Sequence, residues 1–195
     1  MNVKFFLCLA LAALVGCNSG HTPKPRGFFR IEFPEKEYKS SNLNTPYNFS
    51  VPVYASVTPD PENPEKKDWI NLTIPRNNAE VHISYYNLNE NNGQNRLFLN
   101  KLMEETRTLA YKHSVKANSI KEQLFINPDD NVYGTVYKIE GNAASPVQFF
   151  LTDSVSHFIR GALYIRATPD IDSLKPVIDF LEDDVIRLIE TTTWN

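Results

Sequence analysis

The sequence predicts an α+β fold, a mostly antiparallel sheet flanked by helices. Three observations point there. Aromatic residues make up 12% of the chain, with 12 Phe and 9 Tyr, and flat bulky side chains pack well on pleated surfaces. Short alternating apolar segments are separated by turn-forming residues, the pattern of antiparallel pairing. Two segments break that pattern with three- and four-residue apolar spacing, giving the order strands, helix, strands, helix. At 195 residues, 42% hydrophobic and 22% charged, the chain is long enough to bury one core of ordinary size.

The chain opens with one positive charge, Lys4, and then FFLCLALAALVG, an apolar run too short for a permanent bilayer span of about 20 residues. Residues 1–16 read as a secretory signal peptide. Its end, Leu14, Val15, Gly16 and Cys17, matches the bacterial lipobox, in which the cysteine thiol is acylated and becomes the new amino terminus. Cys17 is therefore the expected lipid attachment site, and two or three acyl chains hold a protein firmly on a membrane. Cys8 leaves with the signal, so the mature chain keeps no free thiol; disulfides, thiolate catalysis and cysteine-ligated metals are excluded. Cleavage removes one Lys and no acid, taking the net charge from −3 to −4, and no basic stripe suggests a nucleic acid partner. The residues after Cys17 carry neither an adjacent Asp nor an acidic run, which favours the periplasmic face of the outer membrane.

Residues 17–27, with Pro23 and Pro25 in HTPKPRG, read as the lipidated terminus and an extended tether. Residues 28–195 form the expected single globular domain. FFRIEF, 28 to 33, has strand character, ended by Pro34. PYNFSVPVYASV, 46 to 57, is a second β region, with Pro52 marking an edge or bulge, and TPDPENPEKKD, 58 to 68, is an exposed loop. WINLTI and AEVHISYY, joined by PRNN, form a hairpin. A helix is expected over 96 to 112, placing Leu99, Leu102, Met103, Thr106, Leu109, Ala110 and His113 on one face. SIKEQLFI, NVYGTVYKIEG, PVQFFLTD and HFIRGALYIRA follow with short connections, an antiparallel meander. Finally, Ile171, Leu174, Val177, Ile178, Leu181, Val185, Leu188 and Ile189 give a helical stripe of about five turns. Asp172 or Ser173 is the expected N-cap, Pro176 is expected in the first turn, and Glu182, Asp183 and Asp184 on the outer face.

Phosphate loops, dinucleotide fingerprints and the common hydrolase motifs are missing from the sequence. His21, His82, His113 and His157 show no metal-ligand spacing, so no metal and no cofactor is expected. TDSVSHFIRG, 152 to 161, puts Asp153, Ser154, Ser156, His157 and Arg160 close together, a superficial nucleophile, base and anion clamp. A Ser and His two or three apart on one hairpin seldom reach catalytic geometry. A turn at Asp153 and Ser154, followed by a polar strand face of Arg160, Tyr164 and Arg166, accounts for the same residues. Asp129-Asp130 and Asp183-Asp184 lack calcium-loop register and read as solvated. Phe28-Phe29, Tyr85-Tyr86 and Phe149-Phe150 fit either a docking surface or strands buried on both faces.

The lipobox followed by PKPRGFFRIEFP, PYNF, WINLTIP, VHISYY, KHSVKANSI, GNAASPVQFFLTDS, HFIRGALYIRA, DSLKPV and IETTTW resembles the gliding-motility lipoprotein GldD family of Bacteroidetes. The resemblance implies a palmitate-type lipid anchor at Cys17 and an accessory role, without known enzymatic activity, in gliding and the linked type IX secretion system. It brings no catalytic or ligand residues. The element order is also similar to PsbP and Mog1 domains, which implies an α/β/α sandwich and binding or assembly roles by topology alone. The expected function is thus a non-catalytic lipoprotein of the cell envelope, docking on other gliding and secretion proteins and supporting their assembly or stability. Its expected docking residues are Phe28, Phe29 and Arg30 beside the tether, with His157 and Arg160. An envelope hydrolase using the 153–160 hairpin, and a lipid or small-molecule carrier with an apolar cavity, are the alternatives.

Overall fold

The structure is a computed structural model, in which residues 30–90, 93–112, 116–168 and 170–195 are described. The chain separates into two units, Met1–Arg30 and Ile31–Asn195. Cys17, Phe28 and Phe29 lie outside the described residues, as do His21 and His113.

The second unit is built on a seven-stranded antiparallel sheet. After two short strands, β1 (Tyr38–Ser40) and β2 (Tyr47–Asn48), come β3 (Ser50–Pro52), β4 (Ser56–Pro59), β5 (Ile70–Ile74) and β6 (Ala79–Asn87). Helix α1 (Asn95–Tyr111) leads to the meander of β7 (Ala117–Asn127), β8 (Val132–Gly141), β9 (Val147–Thr152) and β10 (His157–Ile165). Helix α2 (Ile171–Glu190) and β11 (Thr193–Trp194) close the chain. The large sheet runs β4-β5-β6-β10-β9-β8-β7, while β1 pairs with β3 and β11 with β2. Helix α1 carries the chain from the middle of the sheet to its far edge, and the meander then returns to lie beside β6.

Strand alternation sorts side chains onto two faces. The row Ile83–Gly161–Phe149–Val136 faces one core, with Val177, Leu181, Val185 and Leu188 of α2 against it. The opposite face carries Phe150, Phe158 and Tyr137, covered by Leu99, Leu102 and Ala110 of α1. Helices thus lie on both sides of the sheet, which makes the fold α+β with three layers. The pairs Phe149-Phe150 and Tyr85-Tyr86 split between the two faces, and Phe149, Phe150 and Tyr85 are buried.

Several local expectations need correction. Residues 30–33 are not a strand; Phe33 instead stacks on Phe180 of α2, ring centroids 4.4 Å apart, and pairing begins only at Tyr38. The cap of α2 is Asp170, whose side chain accepts from the Asp172 N–H. The helix therefore starts at Ile171, and Pro176 falls in its second turn, where its missing N–H costs the bond to the carbonyl of exposed Asp172. Asp184 is not on the outer face: three- and four-residue steps place it between Leu181 and Leu188, and its side chain is 2% exposed. The proline-rich segment is a shaped loop. Thr58 and Pro59 belong to edge strand β4, and buried Asp60 accepts from the Glu62 N–H at 2.9 Å and from Asn63 Nδ2 at 2.7 Å.

Candidate functional site

Helix α1 covers the β8–β9 half of its face and leaves the β6–β10 half open. Side chains of alternate residues on the two paired strands meet there in rows, His82 beside Ala162 and Ser84 beside Arg160, and the row ends at Tyr86 beside Phe158, which α1 buries. The result is a trench with a sheet floor. One wall is α1, through Phe98 and Leu109; the other is the loop at 60–68, through Glu62 and Glu65 to Asp68. Two open depressions of about 540 and 430 Å³ lie on this floor, and a third of about 380 Å³ lies against α1, sharing Leu109 and Arg160 with the second.

The middle depression is lined by His82, Ser84, Gln148, Arg160 and Tyr164. Arg160 is half-buried; its Nη2 lies 3.4 Å from the Tyr86 hydroxyl, a long contact, and among the described residues it makes no ion pair. Gln148 is 4% exposed yet has no side-chain hydrogen bond to a described residue, so its amide opens on the trench. His82 Nε2 lies 3.5 Å from Glu80 Oε2, and the His82 ring meets Tyr164 edge-on at 5.2 Å. This part of the floor can donate several hydrogen bonds and one fixed positive charge to a ligand.

The end depression differs in chemistry. Trp69, Tyr86 and Phe98 give it aromatic surfaces, with Tyr86 5.5 Å from Trp69 and 6.4 Å from Phe98 by ring centroids. The Trp69 indole N–H donates to the Tyr85 carbonyl at 2.7 Å, taking over from the β5 ladder, which stops at Ile70. Glu65, Asp68 and Glu90 line the same depression with Lys66 and Lys67. Burial, and then repulsion from Glu90, pushes the Asp68 carboxyl up despite the opposing Lys67 charge.

The residues named from the 153–160 hairpin do not come together. Asp153 Oδ1 accepts the backbone N–H groups of Val155, Ser156 and His157 at 2.8–2.9 Å, which winds the turn, and Ser154 takes the left-handed conformation at φ 66. His157 then points to the α2 face, where Nδ1 lies 2.8 Å from the Tyr85 hydroxyl and the ring stacks on Trp194 at 5.1 Å. Arg160, three residues on, points to the opposite face. Among the described residues, neither Ser154 nor Ser156 gives its hydroxyl to His157. Arg30 is exposed. Among the described residues, no group of three His, Cys, Asp or Glu could hold a metal.

The strand alternation around His82, Arg160 and Tyr164 already marks a polar face. What the sequence does not supply is the pairing of β6 with β10, residues 70 or more apart, which turns two polar edges into one floor. Gln148 and Ser84, flanked by apolar residues, carry no signal of their own.

No curated protein and no solved structure matches the chain, so the likeness to PsbP and Mog1 domains gains no support. No helix among the described residues is long and apolar enough to cross a membrane. Residues 18–194 match the family described as gliding motility lipoprotein GldD, nearly the whole length beyond Cys17. By that match, the chain belongs to the gliding motility lipoprotein GldD family.

Proposed function

We propose that this gliding motility lipoprotein is a non-catalytic docking component, lipid-anchored through Cys17 at the periplasmic face of the outer membrane. Held there, it binds other envelope proteins and supports assembly or stability of the gliding machinery and the linked type IX secretion system. The observation that carries this reading is the trench: an open, sheet-floored channel whose charges and hydrogen-bonding groups spread along its length, the form of a surface that receives part of another chain. Support also comes from the hairpin at 153–160, whose Asp and His are committed to holding the turn and the α2 face together.

A clean deletion of the gene tests the reading. Secretion of type IX cargo should fall, or partner lipoproteins should lose abundance. Normal levels of both would sink it, as would turnover of a defined substrate by the purified lipoprotein.

A further inference from the structure

We infer that the trench binds an extended peptide segment of a partner protein, which places a carboxylate on Arg160 and a basic side chain between Trp69, Phe98 and the acids of the end depression. This deepens the docking reading and rests on it.

Charge and shape both favour such an occupant. Arg160 is a half-buried guanidinium without a carboxylate partner among the described residues, beside the opening amide of Gln148 and the hydroxyl of Ser84. Together they match a carboxylate with a neighbouring peptide group. A dianionic phosphate fits less well than a single carboxylate, because Glu62 lines the middle depression with Arg160, while in the next one Glu104 and Glu105 offset Lys101 and Lys112, with Lys101 3.7 Å from Glu105. At the other end, Glu65, Asp68 and Glu90 outnumber Lys66 and Lys67, and the mutual repulsion of Asp68 and Glu90 is relieved by a cation. Trp69, Tyr86 and Phe98 offer ring surfaces that stabilise such a cation further.

Spacing defines the peptide. Ser84, opposite Arg160, and Asn87, in the end depression, are three residues apart on β6, or about 10 Å along the strand. An extended segment with its acidic and basic side chains two to four residues apart spans that distance, and alternate side chains face the floor together.

The test uses the full-length lipidated protein in detergent and a blocked peptide, Ala-Glu-Thr-Val-Thr-Lys-Ala, whose β-branched residues disfavour a helix. Controls replace its Glu by Gln or its Lys by norleucine. The wild type should bind the charged peptide at least about tenfold more tightly than either control, the worth of one charge-assisted hydrogen bond. Arg160→Gln should abolish the preference for Glu and keep that for Lys; Glu90→Gln should weaken the preference for Lys alone. Both variants should melt with the wild type, and if Arg160→Gln does not fold, Arg160→Lys should lower the Glu preference instead. Absence of saturable binding overturns the inference. So does equal binding of all three peptides, or displacement of the charged peptide by inorganic phosphate or by anionic phospholipid vesicles at lower concentration. In envelopes, crosslinking separates the two proposals. Partner capture that survives both substitutions leaves docking intact and removes the trench from it; no capture by the wild type removes docking itself.

Discussion

Tyr54 donates its phenolic hydrogen to Asp184 Oδ2 across 2.6 Å, joining residues 130 positions apart. Tyr38 donates to Oδ1 of the same carboxylate at 2.8 Å, and Lys36 Nζ lies 3.1 Å from that oxygen and over the Phe180 ring. One buried acid on α2 therefore fastens the stretch at 36–54 to the C-terminal helix. Asp184→Ala leaves two phenols without their acceptor and takes one of three partners from the Lys36 ammonium, which keeps the Phe180 carbonyl and Asp183; it should cost about 2–4 kcal/mol. Tyr54→Phe removes one donor and should cost about 1–3 kcal/mol. Denaturant unfolding measures both. An Asp184→Ala variant as stable as the wild type would show that the helix holds this stretch by ring packing alone.

Gly161 faces Phe149 so closely that a Cβ there would lie 2.1 Å from the ring. The position sits mid-strand, in the row beside Ile83 and Phe149, where glycine is otherwise unfavourable. Its role is to let the buried aromatic lie flat on the sheet. Gly161→Ala should destabilise by about 1–3 kcal/mol, since the ring that must shift is fully buried. Adding Phe149→Leu should recover part of the loss; a double variant no better than the single one would place the strain elsewhere.

His157 holds the Tyr85 hydroxyl at 2.8 Å and stacks on Trp194 of the terminal strand. His157→Ala should lower the melting temperature, at a cost of about 1–3 kcal/mol for a buried hydroxyl left without its partner. A variant that keeps full stability and loses function would instead point to a direct role for the imidazole.

Where local spacing decided an element, the sequence was a good guide. The hairpin of β5 and β6, the four-strand meander and both helices follow from alternation of two or from three- and four-residue steps, signals that survive without knowledge of neighbours. FFRIEF shows where that fails: its alternation suits a strand, yet the ring of Phe33 finds its partner on a helix far along the chain. Asp184 shows the converse. A carboxylate in the run Glu182, Asp183, Asp184 looks solvated until Tyr38, Tyr54 and Lys36 arrive from more than 100 residues away. The trench is of the same kind. Arg160 and His82 could be assigned to polar faces, but only the β6–β10 pairing makes them neighbours.

Buried phenols should set the alkaline limit of the fold. Burial pushes Tyr85 and Tyr137 up to about 12 from the ordinary value near 10, helped by Asp68 for the first and Glu122 for the second. Tyr38, Tyr47 and Tyr54 are also pushed up, by burial first; for Tyr38 and Tyr54 the hydrogen bond to Asp184 adds to it. A raised folded-state value means that the folded chain favours the protonated phenol. The resulting stability is complete below about pH 10, where unfolded tyrosines also stay protonated, and drains away as pH climbs toward the folded-state values. Unfolding midpoints in guanidinium should be flat from about pH 8 to 10 and fall steeply above that range, more shallowly for Tyr54→Phe, which has one such phenol fewer. Midpoints that stay level to about pH 12 would mean that these hydroxyls ionise as freely in the folded chain as in the unfolded one.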